Sequence, residues 1–375
     1  MKLTRRNLLK SAAATSALAG TNLRQPLLAA RAGAKRGEGA MRVIAFPRAV
    51  PGSPSPLSAD ALRHVRQIGV EDIRIVSTWV PGYAENGQMD LEELLRVKRF
   101  AASFGIRIGA VYLQKVDTAN LLLDRPGWKE ELEKICRTIE CLGKASIPVL
   151  EHSLLLSRVI RDVFKLPLPG HSRIAKGRGG ARLTTFDGKG TEDKQQPAGP
   201  VSRDQMWERI TRFQERCVPV ASETKVHLAC HPDDPPMHRY WGVNQVLSTK
   251  EGLDRLIQIV PSEYNGILLC LGTMQESGAD VLELIRYFGR KRKIFDIDFR
   301  AVQGTVPNYN EVFLDEGDLD MWKAVQVLKE VDYRWTLEPD HLPGITADTE
   351  GGLISYAWTV GYMKALIAAA EGSAA

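Results

Sequence analysis

From Met41 onward, short apolar segments alternate with longer amphipathic ones. The apolar segments are rich in Ile, Val and Leu and are bounded by turn residues, a pattern that predicts eight β-strands, at 42–46, 72–76, 106–111, 147–151, 225–231, 266–270, 293–300 and 333–338. Helical periodicity predicts eight helices, at 58–68, 90–104, 128–143, 202–219, 248–260, 280–290, 319–330 and 352–370. This alternation predicts an α/β fold, a (β/α)8 TIM barrel in a single domain.

The main alternative for such an alternation is an open, doubly wound sheet. That fold carries a Gly-rich phosphate-binding loop after its first strand. Here the first strand is followed by the proline-rich segment 47–56, and no G-x-G-x-x-G motif occurs. The sequence therefore favours the closed barrel, in which reactive groups lie at the carboxyl ends of the strands.

Residues 1–39 have the character of a targeting segment. The pair Arg5-Arg6 precedes a short Ala-rich apolar run at 11–20, as in a bacterial twin-arginine export signal. This predicts an exported, periplasmic protein whose fold occupies 40–375. The alternative is a disordered basic tail on a protein that stays in the cytoplasm. No run of about 20 apolar residues stands out, so we expect no stable membrane association.

The composition limits the kinds of partner that the protein is expected to bind. The chain has 375 residues, of which 44% are hydrophobic and 25% charged, which suits one large soluble domain. Much of the net charge of +5 lies in the N-terminal segment and in one basic insertion, so we expect no binding of nucleic acid. Five cysteines without framework spacing do not predict disulfides.

The segment 154–200 separates the fourth predicted strand from the fourth large helix. It shows little periodicity after Phe164 and contains a basic run at 176–180 and a polar run at 189–196. Long segments of this kind are usually functional lids or disordered. Because this one follows a barrel strand, it lies on the active face. We expect either a lid over the substrate or a flexible insertion.

Groups that could carry chemistry stand at or just after the ends of four consecutive strands. They are His231, Cys270, Asp298 and Asp340. Strand ends converge at the mouth of a barrel, and nitrogen, sulfur and carboxylate donors together suit a divalent transition metal. Each residue also has a structural interpretation, because a Cys that ends an apolar strand is often a small buried hydrophobe. Their conjunction on adjacent strands favours a metal site.

Five motifs of the second half carry a family resemblance. They are His-Pro-Asp-Asp-Pro-Pro from His231, Leu-Cys-Leu-Gly-Thr from Leu269, Asp-Phe-Arg-Ala from Asp298, Glu-Gly-Asp-Leu-Asp-Met from Glu316 and Glu-Pro-Asp-His from Glu338. In this order they resemble D-mannonate dehydratase, a family with a TIM barrel related to the xylose-isomerase-like barrels. The resemblance is dense over 225–368 and thinner over 41–151.

The resemblance implies a divalent metal held by His231, Cys270, Asp298 and Asp340. Mn2+ is the first expectation, with Fe2+ and Co2+ as alternatives. The third position departs from the family, whose motif is His-Phe-Arg-Asn, whereas this chain has Asp-Phe-Arg-Ala from Asp298 to Ala301. A carboxylate in place of imidazole makes the site harder and more anionic. The fourth strand end, at 151–154, also lacks the family's Asn- and Trp-containing stretch.

The resemblance further implies the removal of water from a sugar acid, D-mannonate to 2-keto-3-deoxy-D-gluconate. The C2 proton and the C3 hydroxyl would be lost, with a base and an acid at the site. We predict one acid/base role for His341 and the other for Tyr356. Arg300 is expected either to pair bidentately with the substrate carboxylate or to brace a barrel carboxylate.

A small-molecule sugar acid and a homo-oligomer are the partners that the resemblance implies. Two other functions stay open from the sequence. A metal-dependent sugar isomerase or epimerase on the same barrel would need a similar enediolate. A non-catalytic, exported sugar-acid-binding protein would suit the changes at Asp298, at Ala301 and at the fourth strand end.

Overall fold

Parallel strands close into a barrel in the computed structural model, which describes residues 40–53 and 55–372. The strands of this part of the chain are β1 (Arg42–Ala45), β2 (Asp72–Val76), β3 (Arg107–Tyr112), β4 (Val149–Ser153), β5 (His171–Ala175), β6 (Arg182–Asp187), β7 (His227–His231), β8 (Arg239–Tyr240), β9 (Val243–Asn244), β10 (Asn265–Cys270), β11 (Ile294–Phe299), β12 (Ala301–Thr305), β13 (Asn308–Val312) and β14 (Thr336–Pro339). The predicted signal at 1–39 lies outside the described residues.

The α-helices of the same part are α1 (Ala59–Gln67), α2 (Tyr83–Asn86), α3 (Leu91–Ala102), α4 (Ala119–Leu122), α5 (Trp128–Lys144), α6 (Leu156–Phe164), α7 (Arg203–Thr224), α8 (Lys250–Ile259), α9 (Leu271–Glu276), α10 (Val281–Arg290), α11 (Met321–Glu330) and α12 (Leu353–Gly372). The barrel order is β1-β2-β3-β4-β7-β10-β11-β14, and β14 pairs in parallel with β1. Each predicted strand and helix corresponds to one of these elements, so the TIM-barrel prediction is confirmed.

Polar residues before the helices set where several of them begin. The Ser58 hydroxyl accepts from the Ala61 amide at the start of α1, and Ser202 forms a reciprocal capping box with Gln205 at the start of α7. Such caps satisfy amides that have no partner inside the helix. At the start of α8, the Thr249 hydroxyl accepts from the Gly252 amide.

Helix α7 runs through Pro219 to Thr224, whereas the sequence prediction ended it at the proline. Proline removes one helical hydrogen bond and commonly breaks a helix. On either side of it, however, Val218 and Ala221 are completely buried. Tertiary packing of this face outweighs the local penalty, and packing is what stabilises most helices in proteins.

The barrel interior is apolar below and polar above. A small cluster of buried side chains fills the interior below the mouth: Ile44, Ala110, Val149, Ala229, Leu268 and Phe295, with Cys270 at its upper end. A β-carbon at Gly266 would overlap the Phe295 ring, so glycine makes room for the largest member. Toward the carboxyl ends of the strands, the buried residues become charged, which positions chemistry at that end.

The insertion at 154–200 is an ordered structure. After helix α6, strands β5 and β6 join β12 and β13 in a four-stranded antiparallel sheet of order β12-β13-β6-β5. Arg178, in the turn between β5 and β6, forms two hydrogen bonds with Asp315 at 2.8 and 3.2 Å and lies over the Phe313 ring. The insertion therefore contains a helix and two strands that local periodicity did not reveal, because residues distant in sequence supply the partners of these strands.

Helix α12 is largely apolar, although Lys364 and Glu371 lie within it. Its 20 residues include an 18-residue stretch with a mean hydropathy of 1.2, so it has the length and composition of a membrane span, contrary to the expectation from the sequence. Several of its residues, including Tyr356, Val360 and Met363, are buried in the core of the barrel. Core helices of soluble proteins share this composition, and α12 takes the place of the eighth barrel helix.

Candidate active site

Three of the four predicted metal ligands meet at the mouth of the barrel. His231 ends β7, Cys270 ends β10 and Asp298 lies opposite Cys270 on the neighbouring strand β11. One ligand atom from each lies within 4.8 Å of the others, and the His231 Nε2 is 3.2 Å from the Asp298 Oδ2. We call these three residues the ligand cluster.

The orientation of the cluster is set by hydrogen bonds around it. The His231 Nδ1 is 2.6 Å from the Pro232 carbonyl oxygen, so the Nδ1–H donates outward and Nε2 faces the cluster. This use of the second ring nitrogen is typical of histidines that bind metals. The Cys270 sulfur accepts from the Thr273 amide, from the Thr273 hydroxyl and from the Arg300 Nε. The cluster is therefore held in place by its surroundings.

The cluster is suited to a divalent cation. Its donors are nitrogen, sulfur and carboxylate oxygen, a mixture that transition metals accept. Burial would lower the pKa of His231, but the neighbouring Asp298 and Cys270 raise this pKa well above its usual value. Burial would raise the pKa of Asp298, but the hydrogen bond and charge of His231 lower it. The Asp298 Oδ1 is buried without a hydrogen-bond partner among the described residues. The protonated His231 ring thus provides positive charge beside Asp298 and Cys270, and a bound metal ion would provide positive charge at the same place.

Asp340, the fourth predicted ligand, lies outside this group. Its Oδ2 is 3.4 Å from the Arg300 Nε and its Oδ1 is 3.8 Å from the His341 Nε2. The same Arg300 nitrogen donates to the Cys270 sulfur at 3.2 Å. Asp340 thus adjoins the ligand cluster through Arg300, at one wall of the cavity described below.

Arg300 is a brace. Its guanidinium binds Glu276, Glu311, Asp234 and Thr273 as well as the Cys270 sulfur, and its side chain is only 1% exposed. A β-carbon at Gly272 would lie 2.5 Å from the Arg300 Cγ, so this glycine is needed for the side chain to pass. Of the two roles predicted for Arg300, the structure matches the brace and leaves no donor for a substrate carboxylate.

His341 faces the cavity and bonds to a carboxylate that lies outside the quoted motifs. Its Nδ1 is 2.6 Å from the Glu311 Oε1. Burial alone would lower the pKa of His341, but Asp340 and Glu311 raise it to about 10. In turn, although burial raises the pKa of Glu311, His341 and Arg300 lower it to about 2. The pair is therefore charged at neutral pH, with His341 about 39% exposed and able to act as an acid.

Tyr356 does not join the other candidates. Its hydroxyl accepts a hydrogen bond of 2.7 Å from the Phe46 amide, and its ring lies under the Arg48 guanidinium. The side chain is 1% exposed, and burial followed by the nearby Glu338 raises its pKa. This hydroxyl ties α12 to the end of β1, so the geometry does not support the acid/base role predicted for it.

Arg74, a second largely buried arginine, was not predicted from the sequence as a site residue. The Arg74 Nη1 donates to the Glu151 Oε2 at 2.8 Å, its Nη2 is 2.6 Å from the Glu338 Oε1, and its Nη1 is 3.9 Å from the Asp298 Oδ1. Burial and the nearby Glu151 raise the pKa of Asp296 well above its usual value. The only sequence signal was a charged residue inside the apolar strand β2.

A cavity of about 640 Å3 opens beside these groups. Glu338, Asp340 and His341 form part of its wall, and six arginines line it: Arg48, Arg74, Arg158, Arg161, Arg173 and Arg182. Four of the six belong to the insertion. The insertion thus supplies part of the cavity wall and makes the cavity suited to an anion.

Comparison with known proteins agrees with this geometry. Residues 190–374 match the family model of D-mannonate dehydratase (UxuA). The chain is 25% identical over 318 residues to the mannonate dehydratase of Thermotoga neapolitana, covering 75% of this chain and 84% of that protein. It is 25% identical over 274 residues to the mannonate dehydratase of Streptococcus pneumoniae, covering 67% and 74%.

Solved structures agree on the fold. The mannonate dehydratase of Streptococcus suis serotype 2 superposes with a TM-score of 0.73 at 22% identity, covering 88% of this chain and 94% of that one. A xylose isomerase domain protein of Alicyclobacillus acidocaldarius superposes with a TM-score of 0.61 at 11% identity, covering 89% and 100%. The match to the family model and the curated relatives confirm the resemblance to D-mannonate dehydratase and indicate a hydro-lyase, and that family acts on a sugar acid and is generally metal-dependent.

Proposed function

We propose that this enzyme converts D-mannonate to 2-keto-3-deoxy-D-gluconate with the help of a divalent ion, Mn2+ before Fe2+ or Co2+. The observation that carries the proposal is the ligand cluster beside an arginine-lined cavity in a chain that resembles this family. A nitrogen, a sulfur and a carboxylate oxygen converge there, and a sugar acid supplies the anion that the cavity suits.

His231, Cys270 and Asp298 would hold the ion, with Asp340 joining them when its ion pair with Arg300 opens. When bound, the ion would withdraw electron density from the carboxylate end of the substrate and make the C2 proton more acidic. Arg300 keeps the Cys270 sulfur in position. Asp298 in place of the family's His adds negative charge, so we expect a hard cation such as Mn2+ to be favoured.

His341 is the proposed acid and base. Glu311 holds its Nδ1–H, which leaves Nε2 for the substrate. Asp340 is one of the two carboxylates that raise the pKa of His341, so engaging Asp340 as a ligand would lower that pKa. The neutral ring would take the C2 proton at Nε2. The electron pair of the C–H bond then forms the C2–C3 double bond, and the C3 hydroxyl leaves as water with the proton from Nε2.

The resulting enol becomes the 2-keto-3-deoxy acid when C3 takes up a proton and the C2 hydroxyl releases one to water. Arg74 is the proposed contact for the substrate near C2, since it lines the cavity 3.9 Å from Asp298. The insertion would limit the access of water to the cavity, which strengthens each charge interaction within it. The twin-arginine-type segment supports the further proposal that the enzyme is exported to the periplasm.

The test is metal content followed by turnover. The purified protein is loaded with Mn2+, its metal is measured, and the 2-keto-3-deoxy product is assayed from D-mannonate. We expect about one ion per chain and product formation, and loss of both in Cys270→Ala. Lys189→Gln, which changes an exposed residue outside the cavity lining, is the matched control. Metal without product from this or any other aldonate would overturn the proposal, and C2 proton exchange without loss of water would indicate an epimerase.

A further inference from the structure

We propose that the natural substrate carries a second anionic group, a carboxylate or a phosphate, at the end of the sugar chain remote from the reacting carbons. Arg48, Arg173 and Arg182 are the residues that would bind it. This inference rests on the proposed function and specifies its substrate class. It would make the preferred substrate a dianion, whereas D-mannonate carries a single carboxylate.

The first observation is the face of the insertion that meets the cavity. Arg173 on β5 lies directly opposite Thr184 on β6, and Arg182 lies two residues before Thr184. Residues opposite each other, and residues two apart on a strand, share one face of a sheet. All three line the cavity. The two guanidinium groups and the hydroxyl therefore form one polar surface on the side of the cavity that the insertion supplies.

The second observation is the charge balance among the cavity arginines. Arg74 is paired with Glu151 and Glu338, Arg158 with Asp234 and Arg161 with Asp162. For the other three, no ion pair occurs with any carboxylate in 40–53 or 55–372: Arg48, Arg173 and Arg182. Among the described residues, Asp348 and Glu350 also line the cavity, but neither forms an ion pair with these three arginines. Three guanidinium groups without an ion-pair partner are more than one substrate carboxylate needs, since one guanidinium can bind a carboxylate with two parallel hydrogen bonds.

Arg48 supplies an independent sign that a ligand is missing from these contacts. Its Nη1 reaches the Gly351 carbonyl at 3.4 Å, but its Nε is buried and has no hydrogen-bond partner among the described residues. A buried donor of this kind is costly unless something accepts from it. Its guanidinium is held over the Tyr356 ring, at 4.8 Å from the ring centroid. The donor is therefore fixed in place at the cavity wall.

The insertion presents its arginines from a fixed backbone. Arg182 exchanges both backbone hydrogen bonds with Gly344, at 2.9 and 2.8 Å, which joins β6 to the loop after β14. Arg178 fastens the turn between β5 and β6 to Asp315. A rigid platform holds charges at a constant distance from His341, which allows them to select the length of the substrate.

The position of the second anionic group follows from where the carboxylate end of the substrate binds. If C2 and C3 react beside His341 and Asp340, the carboxyl end of the substrate lies toward the ligand cluster and the other end points to the insertion. A carboxylate or a phosphate at C6 would then meet Arg173 and Arg182. Both groups accept bidentate hydrogen bonds from guanidinium, so the geometry names their shared chemistry and the experiment distinguishes them.

The experiment compares three substrates with the Mn2+-loaded full chain. They are D-mannonate, D-mannonate 6-phosphate and D-mannarate, which has a carboxylate at C6. We expect kcat/KM to be at least about tenfold higher for one of the two dianions, because hydrogen bonds between charged groups are among the strongest that a site can make. The dianion that is preferred identifies the second group as phosphate or carboxylate.

Charge-removing variants test the assigned residues. Arg173→Gln and Arg182→Gln should each raise KM for the preferred dianion by about tenfold or more, and by a clearly larger factor than they raise KM for D-mannonate. Arg182→Lys should raise KM for the preferred dianion less than Arg182→Gln does, since a lysine keeps the charge but not the two parallel hydrogen bonds of a guanidinium. Lys189→Gln removes a charge from the same insertion outside the cavity and should leave both values unchanged.

The inference is overturned if D-mannonate is the best of the three substrates, or if the arginine variants affect all three alike. Calorimetric titration with the two dianions separates this result from failure of the proposed function. If no substrate is dehydrated but a dianion binds and Arg182→Gln abolishes binding, the anion site stands and the proposed reaction is wrong. If neither dianion binds more tightly than D-mannonate, the second anion site is wrong.

Discussion

Two buried arginines flank the ligand cluster, and their surroundings differ. Arg300 is enclosed by hydrogen-bond and ion-pair partners and does not line the cavity. Arg74 holds Glu151 and Glu338 but keeps a face toward the cavity, where its side chain is 13% exposed. The difference teaches that the role of an arginine in a barrel depends on which of its five N–H groups the fold has already used.

The pKa shifts of the carboxylates around the two arginines differ in part. Near Arg300, burial would raise the pKa of Asp234, but Arg300 and Arg158 lower it, so this carboxylate is ionised. Burial raises the pKa of Glu276, the other close partner of Arg300, well above its usual value, and it does the same for Glu338 near Arg74. Removing Arg300 would therefore strand the ionised Asp234, whereas Glu276 and Glu338 can each respond to the loss of their arginine by binding a proton.

The largest expected effect comes from Arg300→Met. It would leave buried carboxylates without their counter-charge, and we expect the free energy of unfolding to fall by about 3–5 kcal/mol, or folding to fail. Urea unfolding followed by circular dichroism measures this loss. Arg300→Lys keeps the charge but cannot make all the hydrogen bonds of the planar guanidinium. Its free energy of unfolding should therefore lie between those of Arg300→Met and the native chain. A loss below about 1 kcal/mol in Arg300→Met would contradict the role of brace.

For Arg74→Met we expect a larger effect on turnover than on folding. With the proposed substrate contact gone, kcat/KM for the best substrate should fall by about 100-fold, while the free energy of unfolding falls by about 1–3 kcal/mol. Without Arg74, the pKa of Glu338 would rise further, so stability of the variant should decrease as pH rises above about 4.5. Equal turnover in the variant and the native chain would remove Arg74 from the site.

Tyr356→Phe should have only a small effect on stability and turnover, because Tyr356 makes a structural contact, unlike the two arginines. The change removes one hydrogen bond to the Phe46 amide, and we expect a loss of about 1 kcal/mol in unfolding free energy. The turnover rate should stay within about threefold of that of the native chain. Steady-state kinetics and thermal unfolding of the same preparation check both expectations. A turnover rate lowered by about two orders of magnitude, with normal stability, would restore the catalytic role predicted from the sequence.

A pH dependence of stability is expected from the pair His341 and Glu311. The pKa of His341 is raised to about 10, so its contribution is fully present below its unfolded value near 6.5 and is lost as pH rises through 10. The pKa of Glu311 is lowered to about 2, so its contribution is present above about 4.3 and is lost as pH falls through 2. In chelator-treated protein, the difference in Tm between the native chain and Glu311→Gln should therefore be largest between these limits. A difference that does not change with pH would mean that the pair is not ionic.

The sequence was informative wherever a feature is local or repeated. Strands and helices followed from periodicity, and Ser58 indicated a cap within three residues of its partner. His231, Cys270 and Asp298 could be found because each stands at the end of an apolar strand in a barrel whose order was evident. The sequence did not reveal the sheet of the insertion, whose strands β6 and β13 are separated by more than 100 residues.

The role of each charged residue required the tertiary structure. Arg74 was an isolated charge until the barrel brought Glu151 and Glu338 to it from strands β4 and β14. Arg300 lies within a motif, but only the packed structure shows that Glu276 and its other partners occupy its donors. Tyr356 stands near the expected place in the sequence, and the fold directs its hydroxyl to Phe46 instead.

By itself, the sequence determined the closed barrel, the order of its strands and the residues that form the ligand cluster, because these depend on periodicity and on the position of a residue along its own strand. The tertiary structure alone decided which arginine braces the site, which faces the cavity and that the insertion adds further positive charge to the cavity wall. The reason is physical: burial, charge state and the occupancy of hydrogen-bond donors depend on neighbours that are distant in the chain.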